Sequence, residues 1–179
     1  MYCIYFIGGS QFTKNIRYHS YWISTLRHMG YVVKYAKIAD LTLIKDECLS
    51  FIHSCNTKYT NPVIGVMGVS SGGYFALRIK KSIPDLQFCI GIAPIVDPVK
   101  RASIVQSDII SKNTPQVRKI YNKIDLNTLI IIGHKDKQAP IEIYDDYDIH
   151  HLYILEKEDH SITNGRHLGI YKIIHSFLK

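Results

Sequence analysis

The sequence predicts an α/β fold, a three-layer α/β/α sandwich built on about six parallel strands. Three observations carry this. Short apolar runs alternate with amphipathic stretches along the whole chain. Glycine and proline punctuate many of the changes of period. The 179 residues, 46% hydrophobic and 21% charged, have ordinary globular composition, which excludes a disordered or fibrous chain and predicts one domain over 1–179.

Taken in order, Tyr2–Ile7 reads as a strand. A helix follows around Ile16–Met29, where Trp22, Ile23, Leu26 and Met29 fall on one face and Gly30 ends it. Tyr31–Ala36 is a second strand, and a helical stretch near Ile44–Cys55 leads to a third, Val63–Val69. A helix from about Ser71 to Ile83 is closed by Pro84. Phe88–Ala93, Leu129–Ile132 and Leu152–Leu155 supply three more strands. Pro140 is placed to start a helix, and Leu168–Leu178 reads as a closing helix. Helices between successive strands require parallel pairing, and such sheets carry their sites beyond the carboxyl ends of the strands.

The net charge of +7 directs attention to anionic partners. Lys and Arg recur singly or in pairs, as at Arg78, Lys80-Lys81 and Arg118-Lys119. That pattern fits a solvated surface and weak steering of acidic substrates; no nucleic-acid partner is expected. Cys3, Cys48, Cys55 and Cys89 lack metal-like spacing and are expected as buried free thiols. No basic leader precedes Tyr2–Ile7 and no run approaches a membrane span, so a cytoplasmic protein without a membrane segment is expected.

At the end of the third strand stands Gly68-Val69-Ser70-Ser71-Gly72-Gly73, a GxSxG pattern with a strand before it and a helix after it. A serine on so sharp a turn needs small neighbours, and Gly68 and Gly72 supply them. The helix that follows aims its first N–H groups at the reacting centre, so the N–H of Ser71 is placed to stabilise an oxyanion. Gly-Ser runs also build plain loops and phosphate-cradling turns, so the partners of the serine decide the reading.

A serine hydroxyl needs a base, and the base needs an orienting carboxylate. Both occur downstream at strand ends. Asp136 lies in Gly133-His-Lys-Asp-Lys-Gln-Ala-Pro140, beyond a buried strand. His160 lies in Glu156-Lys-Glu-Asp-His160, after the last strand. Catalysis is therefore assigned to Ser70, Asp136 and His160. No HExxH or HxxEH spacing occurs, and the triad needs neither metal nor cofactor.

From Gly68–Gly72 through Gly133–Pro140 to His160, nearly the whole chain resembles the α/β-hydrolase superfamily, in which nucleophile, acid and histidine follow in that order. The Gly-x-x-Asp-x-x-x-Pro form of Gly133–Pro140 is similar to that of small esterases and related serine peptidases, and Gly73 completes an elbow like that of small lipase- and esterase-like members. The resemblance implies a minimal α/β-hydrolase fold with strand order 2-1-3-4-5-6, lacking the usual first two strands. It implies an oxyanion loop at Ile7-Gly8-Gly9-Ser10-Gln11, with the Ser10 N–H as second donor and Gly9 as the alternative; the histidine that usually precedes those glycines is replaced by Phe6-Ile7. Ile95–Asp125, with six basic and three acidic residues, would be a short cap-like insertion too polar for a lipase lid.

Asp97, after the fourth strand, is the rival acid on that resemblance, and His167 is the rival base; Asp136 and His160 are preferred. His134, His150 and His151 read as surface residues, Asp159 as a solvated or capping residue, and Tyr74 as core. The reaction expected is hydrolysis of a small-molecule carboxylic ester with a short acyl group or exposed ester bond. A same-fold peptidase or thioesterase, an inactive hydrolase-like binding protein and a basic module for anionic surfaces are the competing readings. An exposed edge at Tyr31–Ala36 would permit strand pairing between copies, and no oligomeric state is assigned.

Overall fold

In a computed structural model, which describes residues 1–9, 16–36, 41–105 and 124–179, all six apolar runs enter a single sheet. The strands are β1 (Tyr2–Ile7), β2 (Val32–Tyr35), β3 (Val63–Val69), β4 (Phe88–Ile92), β5 (Thr128–Gly133) and β6 (His151–Leu155). Every pairing is parallel and the order is β2-β1-β3-β4-β5-β6, as expected. The central strands are near-continuous apolar runs because both of their faces are covered.

The helices α1 (Ile16–His28), α2 (Leu41–Lys58), α3 (Ser71–Ser82), α4 (Pro98–Val105) and α5 (Leu168–Phe177) provide that cover. Chain direction across the sheet reverses after β2, so right-handed crossovers place α1 and α2 on opposite faces. Side chains of β1 record the split. Phe6 faces His19 and Trp22 of α1, whereas Tyr5 packs on Phe51 of α2 and its hydroxyl donates to Glu47 at 3.0 Å. Trp22 also packs on Tyr171 of α5, with ring centroids 5.2 Å apart. On α1, Trp22 and Leu26 are buried, while Ile23, and Met29 just beyond the helix, pack at the margin.

Two elements differ from the periodicity. Pro140 starts only a 3-10 turn, Ile141–Tyr144, because the short run to β6 is pinned inward. The Tyr144 and Tyr147 hydroxyls donate to the carbonyls of Pro94 and Val96, at 2.5 and 3.1 Å. Within 95–125, α4 is an unforeseen helix with Pro98 at its first position and Asp97 Oδ1 accepting the Lys100 N–H at 2.9 Å. The rest of that segment, from 106 to 123, lies outside the described residues. All four cysteines are buried and free, on β1, α2 and β4. Among the described residues no helix is long and apolar enough to cross a membrane.

Candidate active site

β1 and β3 are neighbours in the sheet, and their crossovers run in opposite directions, which opens a crevice beyond their carboxyl ends. Gly8 and Gly9 leave β1 there, and Ser70 leaves β3. A Cβ built on Gly9 would stand 3.3 Å from the Ser70 Cβ, so the two loops are in contact.

Ser70 has φ 53° and ψ −124°, a left-handed conformation that costs a non-glycine residue about 1–3 kcal/mol. The surroundings enforce it. Its N–H donates to the Ile92 carbonyl of β4 at 2.8 Å, and its own carbonyl accepts the Gly73 N–H at 2.9 Å as α3 begins. A Cβ on Gly68 would overlap the carbonyl of Gly72, and one on Gly72 would overlap the carbonyls of Ile7 and Gly8. The two glycines that flank the serine are therefore fixed by backbone-to-backbone approach, and the approach of Gly72 is to the loop leaving β1.

The three residues singled out in the sequence converge. Asp136, 3% exposed, holds its Oδ2 at 2.7 Å from His160 Nδ1, and His160 Nε2 lies 3.1 Å from Ser70 Oγ. The other carboxylate oxygen, Oδ1, accepts the N–H groups of Gln138 and Ala139, each at 2.8 Å. A buried carboxylate needs such donors, and here the acid loop wraps round to supply them. Because an ionised carboxylate only accepts, Nδ1 carries the proton and Nε2 is left as an acceptor facing the serine hydroxyl.

His160 is held from behind as well. It opens a 3-10 turn, His160–Asn164, capped by Asp159, whose Oδ1 accepts the Ser161 N–H at 2.7 Å. Thr163 Oγ1 donates to the His160 carbonyl at 2.8 Å, and the indole N–H of Trp22 donates to the Thr163 carbonyl at 2.6 Å. Tyr171 donates to the Gly165 carbonyl at 2.6 Å. Trp22 was legible in the sequence only as core. The signal that it is more is that the chain's single tryptophan needs a partner for its N–H when buried.

The rivals are placed elsewhere. Asp97 is buried as the cap of α4. His167 precedes α5, with Nε2 3.5 Å from Glu158 Oε1. Asp159 is exposed and caps, and Tyr74 is buried, with its hydroxyl accepting from Arg78 at 2.9 Å. Ser71 opens α3, where the first N–H groups have no partner within the helix. Ser10 lies outside the described residues. Among the described residues no group of three or more His, Cys, Asp or Glu is arranged to hold a metal ion.

Electrostatically, the carboxylate of Asp136 is felt by two neighbours. Burial lowers the Arg101 guanidinium from its ordinary value against the opposing pull of Asp136. Burial, reinforced by the same negative charge, raises the Tyr144 phenol well above 10. Arg101 Nε donates to the Gln138 carbonyl at 2.5 Å, tying α4 to the acid loop.

No protein-family model and no curated protein sequence matches the chain. Solved structures do. The Pyrococcus furiosus esterase Pf2001 superposes with a TM-score of 0.67 at 15% identity, over 98% of this chain and 81% of that one. The ydeN gene product of B. subtilis gives 0.66 at 13% identity, over 99% of each chain. A Xanthomonas campestris protein assigned to the alpha/beta hydrolase superfamily gives 0.60 at 10% identity, over 98% of this chain and 95% of that one. At such identities the likeness is one of fold, and it agrees with the six-stranded parallel sheet and its helical layers. The protein has the α/β-hydrolase fold in a minimal, six-stranded form.

Proposed function

We propose that the protein is a serine hydrolase that cleaves carboxylic esters through an acyl-enzyme. The observation that supports this reading is one imidazole bonded at both ends, 2.7 Å from Asp136 and 3.1 Å from Ser70. A buried carboxylate, a histidine fixed in one tautomer and a serine on a strained turn answer the three needs of a hydroxyl nucleophile at neutral pH.

Ser70 Oγ attacks the ester carbonyl carbon as His160 Nε2 takes its proton, and Asp136 steadies the imidazolium that forms. The tetrahedral oxyanion is held by the N–H of Ser71 and by an N–H of the loop after β1, from Gly9 or Ser10. Collapse expels the alcohol, which takes its proton from His160. Water, deprotonated by the same histidine, then attacks the acyl carbon, and the acid leaves as Ser70 regains its proton. The segment 95–125, of which 106–123 lie outside the described residues, is read as a short cap on the resemblance alone, and short acyl groups or exposed ester bonds are the substrates that reading favours.

The test is labelling by a fluorophosphonate probe alongside turnover of short p-nitrophenyl esters, for the wild type, Ser70→Ala and His160→Ala. Labelling and turnover of the wild type that both variants lose is the expected result. A folded wild type that neither labels nor turns over would overturn the reading in favour of an inactive binding protein.

A further inference from the structure

Three of the basic residues scattered along the sequence meet at one place in the fold. A cleft of about 630 Å³ opens between the acid loop after β5 and the histidine loop after β6, and His160 is part of its wall. Lys135 and Lys137 line it from one loop and Lys157 from the other. All three are exposed, and among the described residues none of them forms an ion pair. Asp159 is the single carboxylate on the wall. Its Oδ1 accepts the Ser161 N–H, and hydrogen bonding from the Ser161 side chain, with that N–H second, keeps the group below its usual pKa and therefore ionised.

The three lysines outnumber Asp159 on the wall and the buried Asp136 behind His160, which leaves the cleft positive beside a histidine whose far nitrogen faces Ser70. A second cavity, of about 380 Å³, lies at the opposite end of the sheet, where β1, β3, β4 and β6 begin. Its wall includes Tyr2, Phe88, Tyr153 and Phe177 and carries no Lys, Arg, Asp or Glu. The charge is therefore a property of the reacting end and not of every hollow in a chain of net charge +7.

We infer that this cleft binds an anionic group, a carboxylate or phosphate, carried by the ester that Ser70 cleaves. The inference rests on the hydrolase reading and narrows its substrate class. Lysine suits the role, because a flexible ammonium follows an anion of either geometry without demanding the two-point contact of arginine. The site is open to solvent, so discrimination comes from several screened attractions and is salt-dependent.

The experiment compares matched esters that differ in one charge: p-nitrophenyl butyrate against p-nitrophenyl hemiglutarate for the acyl side, and phenyl acetate against 4-acetoxybenzoate for the alcohol side. Fluorophosphonate labelling is run in parallel. The ratio of kcat/KM, anionic over neutral, is measured for the wild type, for Lys135→Glu/Lys157→Glu and for the control Lys58→Glu/Lys172→Glu, which reverses the same number of charges on exposed positions of α2 and α5 away from the cleft. The expected result is a ratio that falls on the order of tenfold in the cleft variant for at least one pair, and not in the control. The wild-type ratio should also shrink as salt rises to about 0.5 M. The pair that responds tells which side of the ester carries the anion. Turnover of all four esters with ratios that the cleft variant leaves unmoved would overturn the inference and leave the hydrolase reading standing. Absence of both labelling and turnover in a folded wild type would overturn the two together.

Discussion

Gly68 and Gly72 meet backbone to backbone, with no room for a methyl group between the end of β3 and the first turn of α3. Adding that methyl in Gly68→Ala forces the turn apart. The variant should lose about 3 kcal/mol, the upper end of an overpacking cost, which for a chain of this size is a fall in Tm of roughly 10 °C. Thermal melting followed by circular dichroism checks it. A Gly68→Ala protein that melts with the wild type would show slack in the turn.

Asp97 and Asp136, both buried, should separate cleanly under the same substitution. Asn at 136 retains an oxygen for the Gln138 and Ala139 N–H groups, but presents an amide to His160 and favours the wrong tautomer. A fall in kcat on the order of 10⁴ is expected with the fold intact. Asn at 97 can still accept the Lys100 N–H and cap α4, so Asp97→Asn should stay within a few-fold of the wild-type rate. Equal losses in both would reassign the acid. Esterase kinetics with matched Tm values decide it.

Each cysteine is no more than 2% exposed, and burial raises all four thiols, with Cys48 and Cys55 pushed up to about 12. A thiol that is neither accessible nor ionised does not react. Ellman's reagent should therefore register essentially no thiol in the native protein and all four once the chain is unfolded. Rapid reaction of even one in native buffer would contradict this packing.

Burial lowers the pKa of His19, which lies against Phe6 and Tyr35, below its ordinary 6.5. The folded chain therefore binds fewer protons there than the unfolded chain as the pH falls below that value. The associated stability is complete above about 6.5 and drains away toward the depressed folded pKa, at a slope of at most about 1.4 kcal/mol per pH unit. His19→Phe should flatten the acid side of a urea-midpoint-against-pH curve. An unchanged slope would remove His19 from that account.

Strand identities and their order were legible because a sheet covered on both faces writes itself as uninterrupted apolar runs, of which Val63–Val69 is the clearest. The meeting of Ser70, Asp136 and His160 was legible because each stands just past such a run. Less was legible where the cause is tertiary. Pro140 promises a helix by local rule, yet two tyrosine hydroxyls anchored at Pro94 and Val96 hold the segment to a single 3-10 turn. Asp97-Pro98 is a helix start that reads equally well as a turn. Trp22 behind the histidine and the meeting of Lys135 and Lys137 with Lys157 depend on which loops become neighbours, and no period in the chain encodes that.

The loops that carry Asp136 and His160 are laced together by their own backbones: the His134 N–H donates to the Leu155 carbonyl at 3.0 Å, and the Lys135 N–H to the Glu158 carbonyl at 2.9 Å. Asp136 and His160 thus ride on one plate. Ser70 rides on another, the junction of β3 and α3, with β4 lying between the two. Of the two side-chain bonds that His160 makes, the one to Asp136 lies within a plate and the 3.1 Å one to Ser70 crosses from plate to plate. Any shift of one plate against the other is thereby read first in the distance between His160 and Ser70.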